Sequence, residues 1–416
     1  MREKPYRQFS MSFLDNMIHA YDRLVQGVMR GVAKIIRISE PNVYIGHKIF
    51  HKIIDILRYH QLNRILLVTD QNIIQLKIID PLITLFNQQK IEFFIYQDTQ
   101  VNPTIVNLEE AKTSYLKHQC QAIIGVGGGS AMDCAKGAAA LVASGKKVHQ
   151  LRGLLKVRKK PPLMIMVPTT AGTGSEATVA VVVSNPKTKE KYGIGDPVLV
   201  PPYAILDSAL TMGLPPQLTA TTGMDAMTHA IEAYLGNSVT PFSMAASKKA
   251  LQLIHQHLIH SYQHPQDEPS RRGMLEASYH AGLAFTRSYV GYVHAVAHTL
   301  GGFYQVPHGL ANAIILPHVL ELYGKSIHHK LATMADWLSL TSIDAPSVVK
   351  AKALKEWLNQ HLTAMHITNT LPGIIKKEDI PLMVKRAEQE ISPFYPVPIY
   401  LHGQILTHLY QTLGGF

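Results

Sequence analysis

Short apolar segments with the composition of buried strands alternate with helical segments in the first half of the chain. This alternation constrains the fold more than any other feature. The segments are RILLVTD (64–70), IEFFIYQD (91–98), QAIIGVGGGS (121–130) and PLMIMVPTT (162–170). Strands that alternate with helices are typical of a parallel sheet with helices on its faces. The segment VAVVVSNPKTKEKYGIG (179–195) predicts an additional hairpin, with its turn marked by Asn185 and Pro186.

Near residue 215 the pattern becomes helical, and little of the later sequence has strand character. A chain of 416 residues is long enough for two domains with substantial cores. We therefore expect three parts: an N-terminal extension over residues 1–40, an α/β domain over 41–215, and an all-α domain over 216–416.

Residues 11–37 predict a basic amphipathic helix. Its apolar residues recur at three- and four-residue steps, and basic residues fall between them. The apolar set is Leu14, Ile18, Tyr21, Val25, Val28, Val32 and Ile35, and the basic set is Arg23, Arg30, Lys34 and Arg37. The favoured interpretation is a helix that packs on its own domain or on a second subunit. The alternative is attachment to an anionic membrane surface.

Charge and cysteine content exclude several classes of protein. The densest basic run, residues 145–160, has no aromatic side chain for base stacking, so its charge indicates a solvated surface and not a nucleic-acid site. The two cysteines cannot form a disulfide framework, and they favour a reducing, cytoplasmic location. No apolar run approaches the roughly 20 residues that span a bilayer.

The motif GVGGGSAMDCAKG (125–137) follows a strand and opens a helix. Glycines such as Gly128 and Gly129 allow a close approach of backbone and ligand, and the free N–H groups at a helix start favour an anion. Ser130, with Asp133 three residues later, resembles an N-cap with an acidic partner. This turn predicts a phosphate-binding site.

Two further features favour a dinucleotide. The loop PTTAGTGSEAT (168–178) offers hydroxyls, among them Thr169, Thr170 and Thr173, as a second wall of the cleft. Asp70 ends a predicted strand, where an acidic side chain can bind a ribose diol and would repel a 2′-phosphate. The usual fingerprint places the acid after the glycines and here it comes first, so a purely structural role for Asp70 is the alternative.

Carboxylate and imidazole side chains in the second half are spaced for metal binding. Asp225 and His229 lie one helical turn apart in GMDAMTHAIEAY, and His294 and His298 repeat that spacing. His308 follows a proline, which predicts the start of another helix. Asp225, His229, His294 and His308 could surround one divalent ion, and this donor set suits Fe²⁺, Zn²⁺, Mn²⁺ or Ni²⁺. His298 is then a neighbour of the site, a proton relay or a cofactor contact.

Four motifs together resemble the iron-containing (group III) alcohol dehydrogenases: GGGSAMDCAK, PTTAGTGSE, GMDAMTHAIEAY and HAVAHTLGGFYQVPHGLANA. The resemblance runs from about residue 42 to the C terminus. It implies a Rossmann-like dinucleotide-binding domain and then an all-helical metal-binding domain, an architecture shared with dehydroquinate synthase.

The family resemblance also implies roles for particular residues. Asp225, His229, His294 and His308 would hold Fe²⁺, or else Zn²⁺. His298 would lie beside the nicotinamide and the substrate as the candidate catalytic residue. NAD would lie on the glycine turn and its surroundings: Asp70, Asn102, Gly128, Gly129, Ser130, Asp133, Thr169, Thr170, Thr173, Val182 and Lys191.

The expected activity is hydride transfer between NAD and a small alcohol or aldehyde, with a short primary alcohol or diol favoured and a homodimer as the assembly. One alternative is a polyol-phosphate dehydrogenase or a dehydroquinate-synthase-like lyase. Those enzymes need clustered cations, and the two metal-bearing motifs contain no Lys or Arg. The other alternative is a membrane-docked scaffold without catalysis.

Overall fold

The computed structural model describes residues 13–35, 38–188 and 190–416. The strands are β1 (Asn42–Gly46), β2 (Arg64–Val68), β3 (Glu92–Tyr96), β4 (Ala122–Gly127), β5 (Gly153–Leu154), β6 (Leu163–Pro168), β7 (Ala180–Asn185), β8 (Glu190–Gly195) and β9 (Tyr203–Asp207). The helices are α1 (Phe13–Ile35), α2 (His51–Tyr59), α3 (Gln71–Gln75), α4 (Asp80–Gln88), α5 (Ile105–Lys117), α6 (Gly129–Ser144), α7 (Val148–Leu151), α8 (Pro216–Leu235), α9 (Pro241–Gln263), α10 (Glu268–Ser288), α11 (Tyr292–Tyr304), α12 (His308–Tyr323), α13 (His328–Trp337), α14 (Ser347–Ala364), α15 (Ile380–Ile391) and α16 (Gly403–Gly414).

A six-stranded parallel sheet with the order β1-β9-β6-β4-β2-β3 forms the centre of the first half. Successive side chains of a strand point to opposite faces, and in β2 Ile65 and Leu67 enter one core while Leu66 and Val68 enter the other. Both faces are therefore covered, which explains why the central strands read as continuous apolar runs. The predicted α/β fold of this half is confirmed.

The four predicted strands correspond to β2, β3, β4 and β6, and the predicted hairpin is the antiparallel pair β7 and β8. Two sheet strands were not named from the sequence. β1 forms one edge of the sheet, and β9 lies between β1 and β6. Both are five residues long, like β2 and β3, and β1 has no fully buried residue and so no continuous apolar run.

The second half is helical, as predicted, and within the described residues no strand follows β9. Its helices surround a single apolar core that is separate from the two cores of the sheet. α8 packs against α9, α10 and α12, so α8 lies at the centre of this half and is buried along almost its whole length.

The sheet order creates a crevice where ligands bind in open α/β proteins. In the sheet, β3 lies on one side of β2 and β4 lies on its other side. The connection that follows β2 and the connection that follows β4 therefore run in opposite directions along the sheet. Ligands of such sheets bind outside the carboxyl ends of strands at this point. Asp70 follows β2 and the glycine turn ends β4, which places both at this crevice.

The N-terminal helix α1 packs on the helical half, although not with the face expected from the sequence. Asp22 and Gln26 are buried, whereas Ile18, Tyr21 and Val28 are exposed. α1 therefore packs on its own domain, as the favoured interpretation allows, but through polar side chains, and packing of its apolar face on a second subunit stays a prediction. The ends of the predicted segment, residues 11, 12, 36 and 37, lie outside the described residues, and the side chains of Leu14, Arg30, Val32, Lys34 and Ile35 are also not described. Among the described helices none is long and apolar enough to cross a membrane.

Candidate active site

Four predicted metal ligands converge in the helical half. Asp225 and His229 come from α8, His294 from α11, and His308 is the first residue of α12, as its position after Pro307 predicts. Each offers one donor atom, and these atoms all lie within 4.8 Å of one another. The convergence follows from helix geometry, because residues four apart on α8 face the same side.

The distances in this cluster fit ligands around a shared ion better than direct pairing. Asp225 Oδ1 lies 3.9 Å from His229 Nδ1, 4.0 Å from His294 Nε2 and 3.7 Å from His308 Nε2. All three distances are too long for hydrogen bonds. His229 Nδ1 is buried and has no hydrogen-bond partner among the described residues. A carboxylate and three imidazoles are a donor set that suits iron or zinc, so these residues fit a divalent metal ion.

Two other side chains orient the cluster. The Glu232 carboxylate lies 2.6 Å from His294 Nδ1 and accepts the backbone N–H of Val293 at 2.8 Å. The pairing of Nδ1 with a carboxylate aims His294 Nε2 into the cluster, as in many metal sites, where it lies 4.0 Å from Asp225 Oδ1 and 3.2 Å from Asn312 Nδ2. Asn312 lies one turn beyond His308 on α12 and donates from Nδ2 to Asp225 Oδ1 at 2.7 Å.

Burial dominates the electrostatics of the cluster. It raises the pKa of Asp225, a shift that the nearby His294 opposes. It lowers the pKa values of His229 and His308 well below the ordinary value, and the neighbouring imidazoles add to this effect. These shifts favour the neutral form of His229 and His308, which is the form that binds a metal.

His298 lies at the edge of the cluster and does not belong to the group of donors. Its ring stacks on that of His308 with centroids 5.2 Å apart. Its Nδ1 lies 2.6 Å from Glu390 Oε1 on α15, and the Tyr395 hydroxyl donates to the same oxygen at 2.9 Å. The imidazole is therefore held in one orientation by a carboxylate from a distant part of the sequence.

The glycine turn at the end of β4 leaves room for a ligand at the start of α6. Gly127 has φ +152°, and a Cβ there would lie 2.7 Å from the Ala131 Cβ. A Cβ on Gly129 would lie 2.6 Å from Thr173 Cγ2. The N-cap residue Gly128 provides no side-chain hydrogen bond to the helix. The first N–H groups of α6 are consequently available to an anion.

The capping role suggested for Ser130 and Asp133 is wrong. α6 begins at Gly129, so Ser130 already lies inside the helix, and its Oγ accepts the backbone N–H of Asn102 at 3.2 Å. Asp133 accepts from Ser175 Oγ at 2.6 Å and from the backbone N–H of Val182 at 2.9 Å. Burial raises the pKa of Asp133. Its carboxylate thus joins α6 to the second loop and to the hairpin.

Asp70 has a structural role that is compatible with ligand binding. It is the N-cap of α3, where Oδ1 accepts the backbone N–H groups of Asn72 at 2.9 Å and Ile73 at 3.2 Å. Its other oxygen points to the glycine turn, 3.4 Å from where a Cβ on Gly127 would lie. The carboxylate therefore caps a helix and faces the crevice at the same time.

The remaining predicted cofactor residues lie around the same turn. Thr169 is buried, and its backbone N–H donates to the Gly127 carbonyl at 3.0 Å, while the Thr170 side chain packs beside Gly128. Lys191 reaches across from β8 and donates to Asn102 Oδ1 at 2.9 Å. Burial lowers the pKa of Lys191, and the carboxylates of Asp133, Glu390 and Asp225 oppose the shift.

One cleft brings the two predicted sites together. Its lining combines residues of the glycine turn and the hairpin with all four members of the metal cluster. This lining includes Asn102, Gly129, Ser130, Asp133, Thr173, Val182, Lys191, Asp225, His229, His294, His298 and His308. A second cavity of about 330 Å³ shares Lys191, His298 and Tyr395 with the cleft and is lined largely by apolar atoms.

Sequence reasoning missed several side chains that the fold brings to the site, among them Asn312 and Tyr395. Glu232 could have been found, because it lies seven residues after Asp225 and therefore on the same face of α8. No local sequence pattern pointed to Glu390, Arg152 or Arg386, and only the fold places them in the lining of the second cavity. Cations are thus present near the cluster although the two metal-bearing motifs contain none.

Comparisons with known proteins agree with this geometry. Residues 41–208 match the model of the iron-containing alcohol dehydrogenases, and residues 219–411 match the C-terminal model of the same family. The chain is 33% identical over 350 residues to alcohol dehydrogenase 4 of Saccharomyces cerevisiae, covering 83% of this chain and 90% of that protein. It is 31% identical to the NAD-dependent methanol dehydrogenase of Bacillus methanolicus, over 71% of this chain and 78% of that enzyme.

A solved structure gives the same result. A 1,3-propanediol oxidoreductase superposes with a TM-score of 0.86 and 30% identity, covering 91% of this chain and 99% of the other. Because the matched regions contain both the glycine turn and the Asp–His cluster, the chain belongs to the iron-containing alcohol dehydrogenase family and is a metal-dependent oxidoreductase that acts on alcohols.

Proposed function

We propose that this enzyme transfers a hydride between a short primary alcohol or diol and NAD, with Fe²⁺ as its metal. The observation that carries the proposal is the single cleft that both predicted sites line. Asp225, His229, His294 and His308 would hold the ion, and Zn²⁺ also fits these donors. When bound, such an ion supplies a Lewis acid that lowers the pKa of an alcohol hydroxyl.

The first half of the chain would position NAD. The N terminus of α6, beginning at Gly129, faces the crevice and suits the pyrophosphate. Asp70 suits the ribose hydroxyls and disfavours NADP, because its carboxylate would face the 2′-phosphate. Lys191 and Asn102 close the cleft between the turn and the metal cluster, where the nicotinamide must lie to reach the substrate.

His298 is the proposed catalytic residue. Since Glu390 lies at its Nδ1, the imidazole would keep its Nε2 for the exchange of a proton. Tyr395 holds the same carboxylate oxygen, and so restrains Glu390. A proton leaving the alcohol would then move through His298 towards solvent.

The second cavity is the proposed substrate pocket. It shares His298 with the cleft, and aromatic side chains such as Phe285, Tyr289 and Phe394 are part of its wall. A volume of about 330 Å³ is ample for a small alcohol. Its cations already have polar partners, since Arg152 lies 3.7 Å from Glu190, Arg386 donates to the Thr188 carbonyl at 3.3 Å, and Lys191 donates to Asn102. This arrangement favours an uncharged alcohol over a phosphorylated polyol.

Three further properties belong to the proposal. Residues 41–215 would form the nucleotide-binding domain and residues 216–416 the metal-binding and substrate domain. The enzyme would act as a homodimer in the cytoplasm. Cys120 and Cys134 are both free and buried, which agrees with a reducing location.

The test uses protein purified without oxygen or chelators. Bound metal is measured by mass spectrometry, and NADH formation is then followed with ethanol, 1-propanol, 1,3-propanediol and glycerol 1-phosphate. We expect one metal ion per chain and turnover of uncharged alcohols with NAD in preference to NADP. Turnover of glycerol 1-phosphate alone would overturn the proposed substrate class, and a metal-free protein with full activity would overturn the metal site.

A further inference from the structure

The helix α1 lies outside both matched regions and attaches to the body of the protein by its polar face. Arg23 donates to the backbone carbonyl of Val397 at 2.9 Å, and Gln26 donates to that of Pro393 at 2.9 Å. The Ser392 hydroxyl donates to Asp22 at 2.9 Å. Hydrogen bonds to an irregular segment therefore hold these residues of α1 in place, together with contacts of Arg23 and His19 on the Tyr400 ring.

The opposite face of α1 is apolar and exposed. Five large side chains, separated by one to four residues along the helix, are between 42% and 67% exposed: Met17, Ile18, Tyr21, Leu24 and Val28. Isolated exposed apolar residues are common, but a continuous stripe of them on one helix marks an interaction surface. We call these five side chains the outer stripe.

We propose that the outer stripe docks α1 onto an anionic lipid membrane. Residues 1–37 contain seven Lys or Arg and three Asp or Glu, which gives a net charge of +4 (7 minus 3). An apolar stripe on a cationic segment is the arrangement of helices that lie in the plane of a lipid surface. Because no described helix can span the bilayer, α1 would bind at the surface.

Two arguments favour lipid over a second copy of the chain. A stable protein interface takes about 20 to 30 residues from each partner, whereas the outer stripe offers five. In a twofold contact the same cationic segment would also face its own copy, and like charges repel. Anionic headgroups instead complement that charge and are attracted to it.

The test is sedimentation of the full-length enzyme with vesicles. One vesicle preparation contains phosphatidylcholine alone, and the other mixes phosphatidylcholine with phosphatidylglycerol. The double variant Leu24→Glu and Val28→Glu changes the outer stripe while leaving Asp22, Arg23 and Gln26 in place. The matched control carries Ile343→Glu and Val348→Glu, which alter exposed apolar side chains in the helical half by the same charge.

We expect the wild type and the control to bind the mixed vesicles and not phosphatidylcholine alone. The outer-stripe variant should need at least about tenfold more lipid for half-maximal binding, because two inserting side chains are lost. All three proteins should melt at similar temperatures and oxidise alcohol equally well, since neither pair of substitutions touches the active site.

Two results would overturn the proposal. One is failure of the wild type to bind either kind of vesicle, and the other is equal binding of the mixed vesicles by the wild type and the outer-stripe variant. If the wild type does not bind and the oligomer also dissociates in the outer-stripe variant, measured by light scattering after gel filtration, the outer stripe belongs to an interface between subunits.

Discussion

The two halves of the active site are built from different parts of the chain. In the helical half, side chains form the site: a carboxylate and three imidazoles converge, and Glu232 and Asn312 fix their orientation. In the sheet half, the backbone forms the site, since glycines shape a turn that leaves helix N–H groups uncovered. The two kinds of site should therefore fail in different ways, one when a donor atom is lost and the other when an atom is added.

The largest effect should come from the loss of one donor. In His294→Ala, bound metal should fall to near zero and alcohol oxidation should fall by at least about 10³-fold, because the Lewis acid is lost. NADH binding, measured by fluorescence titration, should persist. The control His318→Ala changes another imidazole of the helical half, which bonds the carbonyl of Asn369, and should keep its metal. Loss of metal and of NADH binding together would show that the two halves are not separable.

The sheet half should respond to one added methyl group. Gly129→Ala would place a Cβ 2.6 Å from Thr173 Cγ2 and 3.0 Å from Thr173 Cβ, so the two walls of the cleft must separate. We expect the Kd of NADH to rise about tenfold with metal content unchanged, since overpacking costs about 1–3 kcal/mol. In Gly213→Ala, which lies outside the proposed site, the new Cβ would meet no atom within 4 Å, and the Kd should change by less than about threefold. Equal Kd values for the two variants would contradict the proposed site.

A smaller effect on cofactor preference distinguishes the charge of Asp70 from its role as the N-cap of α3. Asp70→Gly should lower the preference for NAD over NADP severalfold, measured as the ratio of kcat/KM values. Helix stability should fall by only a few tenths of a kcal/mol, because glycine is tolerated at an N-cap. Asp70→Asn keeps an acceptor for the N–H groups of Asn72 and Ile73 and removes the charge. If Asp70→Asn kept the full preference for NAD, repulsion of the 2′-phosphate would not be its source.

The smallest effect concerns Glu176, a buried carboxylate that lacks a hydrogen-bond donor of the kind that Asn312 provides to Asp225. Both oxygens of Glu176 are buried and lack a hydrogen-bond partner among the described residues, and burial raises its pKa from 4.5 to about 7. The folded protein therefore keeps a proton that the unfolded chain releases, so the stability from Glu176 is present below pH 4.5 and is lost as the pH rises through about 7. Glu176→Gln should remove this pH-dependent loss of stability, because a glutamine side chain does not ionise.

Thermal unfolding measures the effect of Glu176. The Tm of Glu176→Gln, relative to the wild type, should rise between pH 5 and pH 7.5 by about 1 °C for each kcal/mol that is recovered in a chain of 416 residues. Metal content should be equal in the two proteins, because the substitution leaves the four donors intact. A difference in Tm that stays constant with pH would mean that Glu176 is already ionised in the folded protein.

Much of this contrast could be predicted from the sequence. The features that could not be predicted were missed for physical reasons. The one-turn spacing of Asp225 and His229 specifies a shared face, and the cluster in the structure contains the four donors named from the sequence. Glu390 could not be found, because its approach to His298 depends on how α15 packs against α11. The capping role of Ser130 was wrong, since the N-cap is Gly128, two residues earlier, and a glycine turn can start a helix without a side-chain cap.

The N-terminal helix shows a different limit. An amphipathic period identifies two faces but does not say which one turns inwards. Burial of the apolar face is the usual outcome because water exclusion drives it. The carbonyl groups of Pro393 and Val397 lie outside helices and strands, and Gln26 and Arg23 of α1 donate to them. Local periodicity contains no information about such distant acceptors.

The hydrogen bonds of Gln26 have a practical consequence for protein engineering. Gln26 also donates to the backbone carbonyl of Tyr395 at 3.1 Å, and Tyr395 is part of the wall of both cavities. A chain trimmed to the family boundary at residue 41 would leave the carbonyl of Pro393 without its donor, while those of Tyr395 and Val397 would each lose one donor and keep another. Kinetic constants from such a shortened protein would describe a looser, wetter substrate chamber than that of the intact enzyme.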